Sequence, residues 1–331
     1  MESSGPVNPA LVFSLRLVTE RAACAAFNWI GKGEGAEGAR DGLDAMRDAL
    51  SLIDIDAIVV IGETTKGDGS QPQRGERLGR PASSFKADIA LDPVEGTSYL
   101  VRGLTNALAV LAVAPRGAMM DPGPAFYMEK FVASPPARGR IDPHWPPAKK
   151  LEVLARTLGK DVSDLTVFVL EKPRHRELVR AIIEAGARVA LYPAGDVAGA
   201  LMAAIPDSGI DALMGTGGTP EGVMSACAIR AIGGEFLGRL DPQLQTEARA
   251  VKEAGIDTAR WYDRDEIVAS DNVFFCATGI TTGLMLEGIE RSKTHYKVQT
   301  MMITGMTGER QILTSYIPND RLAAIAARDV A

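Results

Sequence analysis

The stretch Asp88-Ile-Ala-Leu-Asp92-Pro93-Val94-Glu95-Gly96-Thr97 has the residue types and spacing best suited to chemistry. An apolar run delivers Asp92 to the end of a strand. Pro93 stiffens the exit and Gly96 permits a tight turn, so Asp92 and Glu95 can face one point. Two carboxylates held together near neutral pH repel unless a cation lies between them. With no Cys or His beside them, such an all-oxygen set suits Mg2+ or Mn2+. The plainer account of a lone D-P-x-E is a strand-to-helix turn with capping carboxylates. The strand before it and the Gly-Thr after it favour the cation.

Thiol chemistry is not indicated. Cys24, Cys227 and Cys276 are far apart, odd in number and set in apolar contexts, and no C-x-x-C occurs. That pattern fits three buried reduced thiols better than a disulfide scaffold or a zinc site.

The elements that must hold Asp92 and Glu95 follow from periodicity. Pro9 to about Ile30 reads as a helix, with Leu11, Leu15, Val18, Ala22, Ala25 and Trp29 on one face. After the glycine-rich Gly31–Gly35, a second helix is expected from about Asp41 to Leu52. Ala57–Ile61, Ala87–Leu91 and Ala107–Ala114 read as buried strands, and 62–80 as an aperiodic polar stretch. From Val167 onward, strands at Val167–Leu170, Val189–Tyr192 and Ala212–Met214 alternate with helices at Arg176–Ala187, Val197–Ile205 and Pro220–Ile232. That rhythm predicts a mainly parallel or mixed sheet covered by helices. Val273–Ala277 is a further strand, and Lys297–Thr304 with Gln311–Tyr316 form a hairpin around Gly305–Gly308. The Pro-rich Pro135–Pro147 is the candidate linker between an N-terminal half, 1–150, and a C-terminal half, 151–331.

Composition bounds the function. The chain has 331 residues, 46% of them hydrophobic and 24% charged, which excludes a disordered chain. Its net charge of −6 argues against a general nucleic-acid binder but leaves room for a phosphate site served by a metal. The N-terminus lacks a signal-peptide pattern, and no apolar run nears the ~20 residues that span a bilayer. A cytoplasmic protein with no membrane partner is expected.

D-P-hydrophobic-[DE]-G-[ST] after an apolar strand resembles the metal motif of the lithium-sensitive, metal-dependent sugar phosphatases. The Glu95 form, read on through Asn106–Ala112 and Tyr127-Met-Glu-Lys130, resembles the class II fructose-1,6-bisphosphatases of bacteria. Further blocks follow in that family's order: Lys172-Pro-Arg-His175, Gly195-Asp196-Val197, Gly215-Thr-Gly-Gly-Thr-Pro-Glu-Gly222 and Ser270-Asp-Asn-Val…Ala277-Thr-Gly-Ile-Thr281. The resemblance spans essentially the whole chain. It implies a layered α-β-α-β-α sandwich of mixed sheets covered by helices.

It also implies roles. Glu63, Asp92, Glu95 and Glu221 match metal ligands, for Mn2+ or Mg2+. Thr97 matches the threonine that helps to activate the attacking water, beside Asp92 and Glu95. Gly96, Thr97, Tyr127, Arg174, His175, Arg176, Asp196 and Gly218 fall in substrate-contacting blocks, as does Glu95. The physical chemistry agrees: Arg174 offers a bidentate fork to a phosphate. Gly215, Gly217 and Gly218 let backbone N–H groups approach an anion at the next helix start. Asp196 can accept hydrogen bonds from sugar hydroxyls. The implied reaction is metal-dependent hydrolysis of the 1-phosphate of fructose-1,6-bisphosphate, with sedoheptulose-1,7-bisphosphate as a second substrate, in a homo-oligomer.

Three departures stand out. Where the family has an acidic loop after its Val-Ile-Gly-Glu strand, this chain reads Thr64-Thr-Lys-Gly-Asp68-Gly-Ser-Gln-Pro-Gln-Arg-Gly75-Glu76. A family metal-binding Asp before the second helix aligns without gaps to Ala39. Asp41 takes that place if the loop shifts, and Glu37 is a weaker candidate. The family's D-G-D reads Ala194-Gly195-Asp196. These losses admit an alternative: a divergent sugar-phosphate phosphatase or binding protein with altered or lost activity. A Rossmann dehydrogenase is disfavoured, because the first glycine cluster follows a helix rather than a strand.

Overall fold

The computed structural model describes residues 9–62 and 69–320. Of these, one unit holds the residues up to Arg116, then Phe274–Thr304 and those from Glu309 on. A second unit holds Gly117–Val273 and Gly305–Gly308.

The first unit opens with α1 (Pro9–Phe27) and α2 (Gly35–Ser51). Leu15, Val18, Ala22 and Ala26 of α1 are fully buried, as its 3.6-residue period requires. The helix stops short of Ile30. The N–H groups of Trp29 and Ile30 reach back only three residues, and that of Gly31 turns away to the Leu100 carbonyl. α2 begins six residues before the expected Asp41. Gly35, Gly38 and Gly42 lie where Cβ atoms would come within 2.7–3.0 Å of Thr97, Leu100 and Pro93. Glycine serves close packing here, which the sequence presents as loop flexibility.

The strands follow: β1 (Asp56–Ile61), β2 (Arg77–Gly79), β3 (Lys86–Glu95), then α3 (Thr97–Arg102) and β4 (Leu108–Pro115). β1 and β3 are parallel, whereas β2 and β4 run antiparallel to their partners. β3 does not end at Asp92. Its register against β4 shifts between Asp92 and Glu95, so the strand continues through a bulge that contains Pro93. A bulge tolerates proline, which has no donor for the ladder.

The second unit runs β5 (Tyr127–Ala133), α4 (Pro147–Leu158), β6 (Thr166–Leu170), α5 (Arg176–Glu184), β7 (Arg188–Tyr192) and α6 (Asp196–Ala204). It continues with β8 (Ala212–Gly218), α7 (Thr219–Ile232), β9 (Glu235–Leu240), α8 (Gln245–Glu253), β10 (Trp261–Asp263) and α9 (Arg264–Ile267). The sheet order is β10-β9-β5-β8-β6-β7, parallel at β8-β6-β7 and antiparallel elsewhere. The central β5 is absent from the sequence reading, because Glu129 and Lys130 break its apolar run. Phe131, Phe168 and Phe236 are buried within this unit, each worth about 1.5–3 kcal/mol of transfer free energy. The Pro-rich stretch 135–147 is not a linker. Ala137 and Ile141 sit in one core cluster with Phe131, Leu151 and Leu154, and Pro147 starts α4. The expected boundary at residue 150 falls inside α4.

The chain then returns to the first unit as β11 (Phe274–Gly279), β12 (Glu290–Arg291), β13 (His295–Thr304) and β14 (Glu309–Pro318). That sheet has the order β12-β13-β11-β4-β3-β1-β2, with β14 also paired to β13. The expected hairpin is present, Thr304 facing Glu309 across its four-residue tip. Two mixed sheets with helices make this an α/β fold, as expected. All three cysteines are free and buried. Among the described residues, no helix is long and apolar enough to cross a membrane.

Candidate active site

In the first unit, the end of β3 gathers four of the sequence-derived residues in one turn. The Asp92 carboxylate accepts the Val94 N–H at 2.9 Å, and Glu95 is 2% exposed. Gly96 adopts φ +79°, and a Cβ there would sit 2.7 Å from the Tyr99 ring. Only glycine serves at this point. Thr97 opens α3 and donates its hydroxyl proton to the Val94 carbonyl at 3.0 Å. Its oxygen lone pairs are left as acceptors.

Asp41 is exposed on α2, its carboxylate accepting the Trp29 indole N–H at 2.6 Å. Ala39 is buried, and both carboxylate oxygens of Glu37 are held by Arg40 at 2.8 Å. Glu63 and Asp68 lie outside the described residues. Among the described residues, no three of His, Cys, Asp and Glu cluster closely enough to hold a metal. Asp92 and Glu95 remain an all-oxygen pair at a strand end, one of them buried, and that donor chemistry fits a hard divalent cation.

In the second unit, a second group forms where β5 and β8 meet. Tyr127 faces Gly218 across the ladder. The Arg174 guanidinium lies 5.1 Å over the Tyr127 ring. Its Nε and one Nη both donate to the Thr216 carbonyl, at 3.0 and 2.7 Å. One edge of the fork is thus spent on positioning, and the opposite edge of this exposed side chain is left for a ligand. His175 is buried, and both its nitrogens are engaged: Nδ1 meets the Leu170 carbonyl at 2.7 Å, and Nε2 accepts the Thr216 N–H at 2.8 Å. Burial pushes its pKa down, so the ring is neutral with its proton on Nδ1. Gly215, at φ +122°, passes so close that a Cβ would lie 2.9 Å from His175 Nε2. The His175 ring therefore fixes β8, both of its nitrogens being engaged. Arg176 is exposed at the start of α5.

Asp196, in the first turn of α6, is buried and ion-paired with Lys130, which also donates to the Gly218 carbonyl at 2.8 Å. Glu221 occupies the first turn of α7 and folds back on Gly218, where a Cβ would be 1.9 Å from its Oε2. The start of α7 is not an open anion cradle. The Thr219 N–H is taken by the Phe126 carbonyl, Pro220 has none, and an acid already sits there.

Sequence reasoning did not assign Lys130, Thr216, Asp241 or Glu247. Thr216 donates to Asp241 at 2.6 Å, and Glu247 accepts the N–H groups of Phe126 and Tyr127 at 2.6 and 2.9 Å. A lysine inside a run that is otherwise strand-like, as at Lys130, was the one usable signal.

Over residues 9–317 the chain matches the family of bacterial fructose-1,6-bisphosphatase, glpX-encoded. The chain belongs to this family. It is 38% identical over 314 residues to the D-fructose 1,6-bisphosphatase class 2/sedoheptulose 1,7-bisphosphatase of Synechococcus sp. strain JA-3-3Ab, covering 88% of this chain and 90% of that protein. It is 39% identical over 308 residues to fructose-1,6-bisphosphatase 1 class 2 of Escherichia coli, covering 89% and 91%. Membership accounts for the order of the motif blocks along the whole chain.

Proposed function

We propose that the protein hydrolyses the 1-phosphate of fructose-1,6-bisphosphate with Mn2+ or Mg2+ as cofactor, and acts on sedoheptulose-1,7-bisphosphate as well. The observation that carries this reading is the turn at the end of β3. There a buried Glu95, Asp92 and Thr97 are held together by the bulge and by Gly96. Asp92 and Glu95 are the cation ligands of the first unit, joined by Glu63. In the second unit, Glu221 in the first turn of α7 is the residue that matches a metal ligand. Asp41 is the remaining candidate, one of its carboxylate oxygens being oriented by the Trp29 indole N–H. A bound divalent ion would acidify water and neutralise charge on the phosphoryl group.

The chain's own residues do the rest. Thr97 Oγ1, its proton committed to Val94, accepts a hydrogen bond from the attacking water and aims that water. The outer edge of Arg174 binds a phosphate, with Tyr127 bracing it from below. Asp196, oriented by Lys130, accepts from a sugar hydroxyl, and Gly218 and Arg176 border the same end of the sheet. His175 keeps Thr216, and so Arg174, in place. The cytoplasm and a homo-oligomer complete the reading. The exposed Ile312 and Tyr316 of β14 are the apolar residues such an assembly would cover.

Phosphate release from fructose-1,6-bisphosphate with Mn2+ or Mg2+ tests it. Asp92→Asn is expected to abolish that release while leaving the thermal melt in place. No release with either ion would overturn the reading.

A further inference from the structure

The second unit holds a cavity of about 260 Å³ on the α4 side of its sheet, sharing with the site described above only Lys130 and Gly215, at its edge with β5 and β8. β5 turns alternate side chains to opposite faces. Lys130 goes to the face of α6 and α7, while Glu129 and Phe131 go to the cavity. Trp145, Trp261, Lys150 and Arg239 complete its working wall.

Lys150 is the anomaly. It is 5% exposed, yet among the described residues its ammonium donates no hydrogen bond and forms no ion pair. Its contacts are the faces of Trp261 and Phe131, 5.2 and 5.9 Å from Nζ. The other charges cancel: Arg239 is paired with Glu129 at 2.5 Å and lies over Trp261 at 5.3 Å. Asp142 is near but exposed to solvent. Burial pushes the Lys150 pKa down, the expected penalty for an ammonium without a partner. The first turn of α4 carries Lys149 and Lys150 and no acid, the reverse of what a helix N-terminus favours. Buried charges are retained at such cost where something pairs with them.

We infer that this cavity binds a small monocarboxylate with a flat or apolar body, its carboxylate on Lys150 and its body against Trp145 and Trp261. One uncompensated positive charge matches one negative charge. The volume lies just below the ~300–1,000 Å³ of ordinary ligand pockets, which limits the body to about one ring. The inference does not depend on the hydrolase reading.

Two of the chain's three tryptophans line the cavity, so tryptophan fluorescence reports its filling. The probe is 4-nitrobenzoate, with uncharged 4-nitrobenzamide as its control, on the full chain excited at 295 nm. Saturable quenching by the carboxylate, at least tenfold tighter than by the amide, is expected. Lys150→Met should remove that preference while melting no lower than the wild type, and Lys150→Arg should keep it. Equal affinity for the two probes, or quenching that rises linearly without saturation, would overturn the inference in the wild type alone. So would a Lys150→Met protein that still prefers the carboxylate.

Discussion

The two faces of the second unit's sheet each bury one lysine, and they treat it differently. On the face of α6 and α7, Lys130 is 3% exposed and fully employed, bonded to Asp196 and to the Gly218 carbonyl. On the face of α4, Lys150 is 5% exposed and rests on aromatic rings alone. The first arrangement is a closed unit whose charges need nothing from outside. The second is open, because its charge has a cavity where a partner belongs. Similar burial can therefore mark a positioning residue or a binding residue, and the satisfied valence distinguishes them.

The comparison breaks most sharply at Lys130. Lys130→Met strands the buried Asp196 carboxylate, and losing one partner of such a pair costs about 3–5 kcal/mol. Denaturant titration should show that loss, and Asp196→Leu added to Lys130→Met should recover most of it. Phosphate release should stay low in the double variant, because Asp196 is the group proposed to meet the sugar. A single Lys130→Met protein as stable as the wild type would mean that the pair contributes nothing to the fold.

A gentler break is Gly217→Ala. Its Cβ would fall 2.1 Å from Asp196 Oδ2 and 3.1 Å from Lys130 Nζ, so the pair must move. Overpacking of this kind costs about 1–3 kcal/mol. The melt should drop accordingly, and the apparent affinity for the sugar phosphate should weaken with it. An unchanged melt would show that the carboxylate has room the distances deny.

These contrasts bear on how much the sequence disclosed. The strands of the first unit were legible because β3, β4 and β11 are buried on both faces and read as unbroken apolar runs. The turn at Asp92–Thr97 was legible because its chemistry is local: strand, proline, acid and glycine lie in sequence order. The second unit's site was less so. Lys130 meets Asp196 only through the fold, and no spacing announces it. His175 lies in a substrate-contacting block, but its ring is held by the nearby Leu170 carbonyl and by the distant Thr216 N–H, and the second bond exists only through the placing of β8 beside β6. β5 was hidden by the two charged residues that give it its role. α2 was shortened by glycines that exist for close approach. The packed stretch from Pro135 to Pro147 showed only its prolines, and Lys150 showed nothing until α4 and β10 were in place.

The smallest effects sit at Lys150 and run the opposite way. Removing an ammonium that has no partner should stabilise the ligand-free protein, by about 1–2 kcal/mol for Lys150→Met near neutral pH. The advantage should depend on pH. The folded state holds Lys150 below its ordinary lysine value, so between the two values the unfolded chain binds more protons. Stability from this group then rises with pH toward the unfolded lysine value and is lost as pH falls through the lowered one. The wild type should therefore close on Lys150→Met as pH rises toward the ordinary lysine value of about 10.4, as the buried amine sheds its charge. Glu129, Asp142 and Arg239 are the charged groups around the amine, and both proteins carry them. Cys24 and Cys276, pushed up to about 12 by burial, lose stability in the same range as the unfolded thiols ionise first. Both proteins carry them, so that loss cancels in the difference. Paired denaturant titrations at each pH unit give the gap directly. A gap that stays constant would mean that Lys150 is as well served as Lys130, and the contrast between the two faces would vanish.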